Sequence, residues 1–453
     1  MSELADAAIA GASESELLSC PVPEAARAAH LRREDVDMFA GANDRDVRRS
    51  IHVGEVPLPE LAPDEVLLAV MASGINFNTV WSATFLPVPT FAFLSRFGRR
   101  DRWGARHDQP WHVIGSDAAG VVVRVGAAVR RWSVGDRVVV APAYVDSEDP
   151  ATHQDAMTGD QRAWGFETNF GGLADFAVVK ASQLLPKAEH LTWEEAACGT
   201  LCASTAYRML VSPRGAVMKQ GDVVLVWGAT GGLGGYAVQL VLAGGGIPVA
   251  VVGSAAKADL LRGLGCRHIV DRSTLTTGPA GMRDPAAFRE LGVRIRGLVG
   301  EDPHIVFEYT GEETFGASVY LARTGGAVVT CGSSSGYEHS YDNRYLWMRL
   351  KRIIGSHGAN LQEAAEVNRL VRLGRLMPTL SEVYPLARTG EATRTVQDNR
   401  HVGKVGVLCL APAEGLGVSD PVRRAEIGER RLRPFLDTPA ADRALVPAPV
   451  LVH

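Results

Sequence analysis

The stretch Val223-Val-Leu-Val-Trp-Gly-Ala-Thr-Gly-Gly-Leu-Gly234 decides the fold of this chain. Its first five residues form a continuous apolar run, as is typical of a parallel strand that is buried on both faces of a sheet. A glycine-rich turn follows and leads into a predicted helix. Glycines at such a turn let backbone N–H groups approach a pyrophosphate at the N-terminus of the helix. We therefore interpret the stretch as a dinucleotide-binding turn in preference to an ordinary strand-to-helix connection.

The sequence after this turn indicates which dinucleotide binds. NAD sites usually place an acidic residue at the end of the second strand, where it holds the ribose hydroxyls. Residues 235–257 contain no Asp or Glu, whereas Ser254 and Lys257 follow the second predicted strand. A hydroxyl and an ammonium suit the 2′-phosphate of NADPH, which a carboxylate would repel. Lys257 as a solvated helix residue is the alternative. The predicted cofactor-binding residues are Gly228, Thr230, Gly231, Gly232, Leu233, Gly234, Ser254 and Lys257.

Strands and helices alternate over the middle of the chain. Further strands are predicted at 248–253, 268–271, 304–309, 327–331 and 352–356. Such alternation predicts an α/β fold with a doubly wound parallel sheet and right-handed crossovers.

The first part of the chain has a different pattern. Residues 57–140 contain short β-rich runs between glycine turns, which predicts a small antiparallel barrel or sandwich. Residues 85–110 are expected to be an irregular loop with a functional or partner-binding role. Residues 403–408 are again β-rich and are expected to return to the first domain, and the tail after Pro412 is expected to be extended or disordered at its end.

These patterns predict three segments along the chain. The predicted division is a catalytic domain over 1–212, a nucleotide-binding domain over 213–356, and a return segment with the C-terminal tail over 357–453. The nucleotide-binding domain is thus an insertion between two parts of the catalytic one.

Composition limits the classes of function and location. The formal net charge of −4 gives no sign of a nucleic-acid or membrane-surface partner. The acidic opening residues do not form a secretion signal, and no run of 18 apolar residues occurs. The six cysteines are scattered, and the close pair Cys198 and Cys202 lacks a second pair for a four-ligand zinc site. We expect a reduced, cytoplasmic protein.

A β-rich first part, an inserted nucleotide domain and a β-rich return resemble the medium-chain dehydrogenase/reductase superfamily. The resemblance implies a GroES-like β-rich catalytic domain with an inserted Rossmann domain. In zinc-containing members, the positions matching Asn76 and Ser116 carry a cysteine and a histidine ligand. Asn and Ser are poor zinc ligands, and the chain has no four-cysteine lobe. The resemblance therefore implies an enzyme without zinc, like the quinone and enoyl reductases.

Five separated strings resemble the crotonyl-CoA carboxylase/reductase family, and the resemblance extends from about the first fifty residues to Pro412. They are Val70-Met-Ala-Ser-Gly-Ile-Asn-Phe-Asn-Thr-Val-Trp81, Trp164-Gly-Phe-Glu-Thr-Asn-Phe-Gly-Gly172, Glu313-Thr-Phe-Gly-Ala-Ser-Val-Tyr320, Tyr341-Asp-Asn-Arg-Tyr-Leu-Trp347 and Ile354-Gly-Ser-His357.

The resemblance implies NADPH-dependent reductive carboxylation of an α,β-unsaturated acyl-CoA. Hydride goes to the β-carbon, and the resulting enolate attacks CO2 to give an alkylmalonyl-CoA. CO2 is expected to be used directly, without biotin or ATP, so Lys219 in Val217-Met-Lys219 is interpreted as a solvated turn residue. The family also implies a homo-oligomer, a dimer or a tetramer.

Carried over by motif, the residues that hold CO2 are Asn78, Phe166, Glu167 and His357. An amide N–H of Asn78 can orient CO2, His357 can donate a hydrogen bond, and Glu167 can fix a water or a neighbouring group. Such roles are electrostatic positioning in a site that excludes water. Alternatives stay open for each residue. Asn78 also fits a residue of an ordinary turn, and Asn76 is its rival for the site, although Asn76 also fits a support of the loop. His357 also fits a structural histidine and Glu167 a surface carboxylate. Phe166 also fits a residue of the apolar core.

The chain departs from its relatives beside the histidine. The family run Gly-Ser-His-Phe-Ala-Asn is Gly355-Ser-His-Gly-Ala-Asn360 here, and Glu308-Tyr-Thr-Gly311 stands where relatives often have Glu-His-Pro-Gly. Loss of a phenylalanine at Gly358 removes a large apolar wall, which suggests a roomier acyl pocket for a longer or substituted enoyl-CoA. A backbone conformation that requires glycine is the alternative.

Three other functions are considered. A plain NADPH-dependent enoyl-CoA or enoyl-thioester reductase would protonate the enolate, and product mass with bicarbonate distinguishes it. A quinone or aldehyde reductase would leave the Phe166-Glu167 string unexplained. A non-enzymatic NADPH sensor would oxidise no NADPH with any enoyl-CoA.

Candidates for pairing with CoA phosphates are Arg96–Arg106, Arg344 and Arg349–Arg352, with solvated basic faces as the alternative.

Overall fold

The structure, a computed structural model, describes residues 2–436. These residues divide into two units. The β-rich unit comprises residues 2–201, 360–372 and 380–429, and the nucleotide unit comprises residues 202–359, 373–379 and 430–436. The chain thus leaves the β-rich unit and returns to it. The boundaries of the three predicted domains stay a prediction.

Strands and helices are numbered along the chain. The strands are β1 (Ala25–Arg32), β2 (His52–Pro57), β3 (Glu65–Ile75), β4 (Trp111–Val113), β5 (Ala118–Val125), β6 (Arg137–Val140), β7 (Ala143–Val145), β8 (Gln161–Ala163), β9 (Phe176–Lys180), β10 (Leu184–Pro186), β11 (Val223–Val226), β12 (Ile247–Val252), β13 (His268–Asp271), β14 (Ile305–Glu308), β15 (Ala327–Thr330), β16 (Arg352–Gly355), β17 (Leu380–Pro385) and β18 (Lys404–Leu408).

The helices are α1 (Glu3–Ala10), α2 (Glu14–Ser19), α3 (Phe77–Thr84), α4 (Thr90–Gly98), α5 (Arg102–Ala105), α6 (Thr152–Asp155), α7 (Trp193–Ala197), α8 (Thr200–Leu210), α9 (Gly232–Ala243), α10 (Ala255–Gly263), α11 (Pro285–Val299), α12 (Phe315–Leu321), α13 (Asn343–Trp347), α14 (Leu361–Arg372), α15 (Thr389–Gln397), α16 (Pro421–Ile427) and α17 (Glu429–Leu432).

A seven-stranded sheet forms the centre of the β-rich unit. Its order is β10-β6-β5-β3-β18-β17, with β9 also paired to β3. The central strand β3 is buried along its whole length, and residues 66–72 within it are a continuous apolar run. The strand β18 pairs antiparallel with β3, from Val405 opposite Ile75 to Leu408 opposite Ala72. The expected return of residues 403–408 to the first domain is therefore confirmed.

A six-stranded parallel sheet forms the nucleotide unit. Its order is β13-β12-β11-β14-β15-β16, so the chain reverses direction across the sheet between β11 and β14. All four residues of β11 are buried, as the apolar run predicted. Ligands of open parallel sheets bind at the carboxyl ends of strands next to such a reversal. The prediction of a doubly wound sheet is confirmed, and the glycine turn follows β11 at this edge.

One local prediction was wrong. Residues 85–110 contain α4 and α5 rather than an irregular loop, because Phe91, Leu94 and Phe97 recur at helical spacing and are buried. Asp101 caps α5 by accepting hydrogen bonds from Trp103 N at 2.8 Å and Gly104 N at 2.7 Å.

The tail after Pro412 is partly helical. Asp420 caps α16, and Arg424 on that helix contacts the buried carboxylate of Glu195 at 2.7 Å. These contacts hold α16 on the β-rich unit, whereas the extended or disordered end of the tail stays a prediction. The end of the tail, residues 437–453, lies outside the described residues.

Candidate active site

The dinucleotide turn in the nucleotide unit has no space for a side chain at Gly228, Gly231 or Gly234. Gly228 has a φ of 54°, and a Cβ there would lie 2.5 Å from the hydroxyl of Tyr309. The amide of Gly231 donates to the carbonyl of Gly228 at 2.8 Å, which closes the turn just before α9. The first N–H groups of a helix are free for an anion. The turn is thus a backbone cradle that fits a pyrophosphate.

Tyr309 braces this turn from the neighbouring strand. Its hydroxyl donates a hydrogen bond to the carbonyl of Gly228 at 2.7 Å. The preceding residue, Glu308, is buried, and burial raises the pKa of its carboxyl group. Glu308 accepts hydrogen bonds from Thr310 N at 2.7 Å and from Ser318 Oγ at 2.5 Å. The string Glu308-Tyr-Thr-Gly311 therefore fixes the loop after β14 against the turn.

Ser254 and Lys257, which are predicted to bind the 2′-phosphate, have a third candidate nearby, Arg272. Ser254 caps α10, and its hydroxyl accepts from Lys257 N at 3.4 Å. Burial lowers the pKa of the Lys257 ammonium, and the positive charge of Arg272 lowers it further. Arg272 follows β13 and contacts Glu313 at 2.9 Å. Arg272 is thus close enough to Lys257 to lower the pKa of its ammonium, and two such cations fit a phosphate. Arg272 was missed from the sequence, although a basic residue directly after a strand was the available signal.

Asn78 lies on the second residue of α3 in the β-rich unit. Its Nδ2 donates to Ser116 Oγ at 2.8 Å, and its buried Oδ1 has no hydrogen-bond partner among residues 2–436. The hydroxyl of Ser116 can accept from Nδ2 or donate to Oδ1, so either end of the amide can face the free position. Because buried polar atoms are normally paired, a free amide atom fits contact with a ligand.

Phe166 and Glu167 lie in a tight turn of the same unit. The amide of Glu167 donates to Ala163 O, and the carboxylate of Glu167 accepts from Ala163 N, both at 2.8 Å. The second carboxylate oxygen makes no hydrogen bond within the described residues. The ring of Phe166 lies 5.9 Å from that of Phe93 between centroids. Glu167 thus closes its own turn with one oxygen and keeps the other available.

Buried polar groups hold this turn in place. Thr168 O lies 3.2 Å from His112 Nε2, and Asn169 N donates to His107 Nδ1 at 3.0 Å. The side-chain oxygen Oδ1 of Asn169 also accepts a hydrogen bond from Val113 N at 2.8 Å. Burial lowers the pKa of His112 to about 4 and that of His107 well below its ordinary value. Both histidines are therefore neutral at pH 7 and act as fixed hydrogen-bonding groups next to the Phe166–Glu167 turn.

His357 and Gly358 follow β16 in the nucleotide unit. His357 is exposed, and Gly358 has a φ of 50°, in the left-handed region that glycine adopts without steric cost. This backbone conformation fits the alternative that the position requires glycine. The structure thus groups Asn78 with Ser116, and Phe166 with Glu167, in the β-rich unit, whereas His357 belongs to the nucleotide unit.

Several arginines considered for CoA phosphates have protein partners. Arg106 is nearly buried and contacts Glu65 at 2.9 Å, and Arg100 contacts Asp160 and Asp146. Arg344 is exposed and contacts Asp342 at 2.7 Å. Arg106 therefore has a structural role.

A GroES-like β-rich unit interrupted by a parallel-sheet nucleotide unit defines a medium-chain dehydrogenase/reductase. Family models agree: residues 62–189 match the alcohol dehydrogenase GroES-like domain, and residues 232–373 match the zinc-binding dehydrogenase domain. Within residues 2–436, no group of three or more His, Cys, Asp or Glu side chains is placed to hold a metal ion. In the same range, no helix has both the length and the apolar character needed to cross a membrane.

Similar proteins identify the family. The solved 2-octenoyl-CoA carboxylase reductase CinF, in complex with NADP and 2-octenoyl-CoA, has a TM-score of 0.94 and 60% identity, covering 97% of this chain and 100% of that chain. The crotonyl-CoA reductase of Streptomyces collinus is 54% identical over 92% of this chain and 94% of that protein. The crotonyl-CoA carboxylase/reductase of Cereibacter sphaeroides is 38% identical over 84% of this chain and 89% of that protein. The chain belongs to the crotonyl-CoA carboxylase/reductase family.

This membership confirms several predictions. It confirms the fold class, the resemblance, and the class of enzyme, an NADPH-dependent enoyl-CoA carboxylase/reductase. The roles of the individual site residues stay predictions.

Proposed function

We propose that this protein reduces a medium-chain 2-enoyl-CoA with NADPH and carboxylates the α-carbon with CO2, which gives an alkylmalonyl-CoA. The observation that carries the chain length is the similarity to CinF, which was solved with NADP and 2-octenoyl-CoA, at 60% identity over almost the whole chain. We assign Gly358 to the acyl pocket as part of this proposal, because glycine leaves room where the family run has a phenylalanine. Its φ of 50° also fits a backbone requirement for glycine, and variants at this position separate the two roles.

The chemistry balances without a further reagent. Bound NADPH supplies a hydride for the β-carbon of the enoyl thioester. The electron pair of the carbon–carbon double bond then resides on the α-carbon of an enolate, which forms a bond to the carbon of CO2. One carbon–oxygen π bond of CO2 opens, and its electron pair becomes the charge of the new carboxylate. Water must stay away from the enolate, since a proton at the α-carbon would give the plain saturated thioester.

The chain contributes by positioning CO2. The amide of Asn78 carries the free hydrogen-bonding atom, and Ser116 holds its other end at 2.8 Å. With Nδ2 at the free position, the amide donates to a CO2 oxygen and stabilises the charge that develops there. Glu167 and His357 orient CO2 directly or through water, and Phe166 forms an apolar wall. Each of these roles is part of the proposal.

A product analysis tests the function. The enzyme would be incubated with NADPH and 2-octenoyl-CoA, with and without bicarbonate and carbonic anhydrase, and the products weighed by mass spectrometry. We expect hexylmalonyl-CoA with bicarbonate and octanoyl-CoA without it. Octanoyl-CoA alone under both conditions would contradict carboxylation and favour a plain enoyl-CoA reductase. Asn78→Ala should shift the product towards octanoyl-CoA, and Asn368→Ala on α14 is the matched control.

We also propose that the protein is a homo-oligomer, assembled through the edge of the nucleotide sheet. The strand β16 is the last of that sheet, and its outer edge pairs with no other strand in the described residues. Large apolar side chains beside it are exposed, Trp347 to 62% and Leu350 to 75%. An exposed apolar strand edge normally finds a partner. A second copy of the chain supplies the same edge, which pairs with itself around a two-fold axis.

The enzyme is further proposed to work in the cytoplasm. All six cysteines lie within the described residues, and none of them forms a disulfide. Unoxidised thiols fit a reducing compartment. Fractionation of the producing cells tests this location, and recovery of the enzyme outside the cytoplasm would contradict it.

A further inference from the structure

A buried lysine contacts residues that neighbour Asn78 and Ser116 in the sequence. Lys404 begins β18, and its side chain is 3% exposed. Its ammonium donates to Ile75 O at 2.8 Å, to Asn76 Oδ1 at 2.5 Å and to Asp117 Oδ2 at 3.1 Å. An ammonium has three N–H donors, and these three acceptors are all groups of the protein. The lysine is therefore directed inward, at the residues that flank the candidate CO2 site.

Asp117 is the acidic partner in this cluster. Its side chain is completely buried, and Oδ2 also accepts from Asn76 Nδ2 at 2.8 Å. The other oxygen accepts from Leu201 N at 2.9 Å. A buried ion pair is expensive to desolvate, and apolar residues of similar size often stabilise a fold as well or better. Stability alone is thus a weak explanation for this pair.

Asn78 and Ser116 are each connected through the backbone to a residue that Lys404 contacts. Asn76 caps α3 and stands two residues before Asn78, whereas Asp117 directly follows Ser116. The Lys404 ammonium contacts both flanking side chains, so it sets the separation of the two segments.

We propose that Lys404 and Asp117 are positioning residues for the Asn78 amide, and that they determine how efficiently the enolate is carboxylated rather than protonated. The inference rests on the proposed function of Asn78. Neither residue touches the reacting atoms, so hydride transfer does not depend on them directly. Capture of CO2 depends on Lys404 and Asp117 through Asn78, because a small displacement of an orienting group strongly lowers the rate of a reaction.

The test compares variants of the full-length enzyme. Lys404→Met removes the ammonium, and Lys404→Met combined with Asp117→Asn removes both charges, so that no lone buried carboxylate remains. Lys187→Met is the matched control, because Lys187 is also buried in the β-rich unit but donates to the carbonyls of Ala188, Leu191 and Gly417. Three quantities are measured: the ratio of carboxylated to saturated product, the KM for bicarbonate, and NADPH oxidation without bicarbonate.

We expect Lys404→Met and the double variant to lower the product ratio about 10-fold and to raise the KM for bicarbonate. NADPH oxidation without bicarbonate should stay within about two-fold of the unmodified enzyme, and Lys187→Met should keep its product ratio. The double variant keeps the experiment decisive if the single one does not fold, since it leaves no unpaired charge.

An unchanged product ratio in the folded double variant would overturn the inference, provided that Asn78→Ala lowers that ratio. Failure of the proposed function would be visible in the product of the unmodified enzyme. In that case the unmodified enzyme forms only the saturated thioester, before any variant is compared.

Discussion

The hydroxyl of Tyr309 donates a 2.7 Å hydrogen bond to the carbonyl of Gly228 and so ties β14 to the first glycine of the dinucleotide turn. The same hydroxyl occupies the space that a side chain at Gly228 or Gly231 would need, at 2.5 Å and 2.8 Å from the respective Cβ positions. Relatives often carry a histidine where this tyrosine stands. The shape of the NADPH cradle in this chain therefore depends on a residue 81 positions away in sequence.

Tyr309→Phe is expected to weaken NADPH binding. The variant keeps the ring but loses one hydrogen bond, which is worth about 1 kcal/mol, so the KM for NADPH should rise about five-fold with little change in kcat. Steady-state kinetics with varied NADPH measure this. Tyr320→Phe on α12 is the control. An unchanged KM for NADPH in Tyr309→Phe would show that NADPH binding does not depend on the hydrogen bond from Tyr309 to Gly228.

Arg272→Ala and Lys257→Ala are expected to reduce the preference for NADPH over NADH. Each variant removes one cation from the proposed 2′-phosphate site, and a charge-assisted hydrogen bond contributes roughly 2 kcal/mol. The ratio of kcat/KM for NADPH to that for NADH should therefore fall about 10-fold or more.

The control for this pair is Arg262→Ala, because Arg262 lies on the same helix as Lys257 but pairs with Asp259 on the exposed side. A selectivity ratio that falls equally in the control would mean that the general positive charge of this face matters, not a site for the phosphate.

Much of the nucleotide unit could be predicted because its signals are local. The apolar run of β11 and the glycines after it are adjacent in sequence, and their physics does not depend on the rest of the chain. Arg272 was not predicted, since only the parallel pairing of β12 with β13 brings it near Lys257.

The β-rich unit shows where sequence reasoning ends. Asn78 can be named by resemblance, whereas its partner Ser116 stands out in the sequence only where zinc-containing members have a ligand. Lys404 and Asp117 are 287 residues apart, and no pattern along the chain connects them. The helix α4 was missed because its aromatic and basic composition resembled a loop, although its buried residues follow helical spacing.

The buried histidines His107 and His112 predict how stability depends on pH. Burial lowers the pKa of His112 to about 4, whereas an unfolded histidine titrates near pH 6.5. Between these values the unfolded chain binds more protons than the folded one, so stability falls as the pH is lowered. The loss is about 1.4 kcal/mol per pH unit for each such histidine, and His107 adds to it.

Thermal melting between pH 7.5 and 5 checks this. The melting temperature should fall towards pH 5, and the fall should be smaller in His112→Gln, which has no titrating group there. His153→Gln, on an exposed position, should behave like the unmodified enzyme. An equal fall in His112→Gln would assign the pH dependence to other groups.

Leu350→Glu is expected to disrupt the proposed oligomer. A carboxylate at this exposed apolar position would lie in the interface between two copies, where an unpaired charge is costly to bury. Light scattering coupled to size-exclusion chromatography should give a smaller mass for this variant. Val422→Glu on α16 introduces the same charge at another exposed apolar position and should leave the mass unchanged. A monomeric unmodified enzyme would contradict the proposal.

Gly358→Phe is expected to shift the substrate preference towards crotonyl-CoA. A phenylalanine would restore the apolar wall that relatives have, and a longer acyl chain would then clash with the ring. We expect kcat/KM for 2-octenoyl-CoA to fall at least about 10-fold relative to that for crotonyl-CoA, which corresponds to a loss of roughly 1.4 kcal/mol in binding the transition state. Kinetics with a series of C4 to C8 enoyl-CoAs measure the shift.

Gly358→Ala separates the pocket from the backbone. The φ of 50° is unfavourable for any residue with a Cβ, so alanine carries a backbone cost of about 1 kcal/mol without the bulk of a ring. If glycine serves the backbone, both variants should lower activity with all chain lengths to a similar degree. If glycine serves the pocket, alanine should leave the ratio between C4 and C8 substrates nearly unchanged while phenylalanine alters it. Equal ratios in all three proteins would contradict the proposed role of Gly358 in chain-length selection.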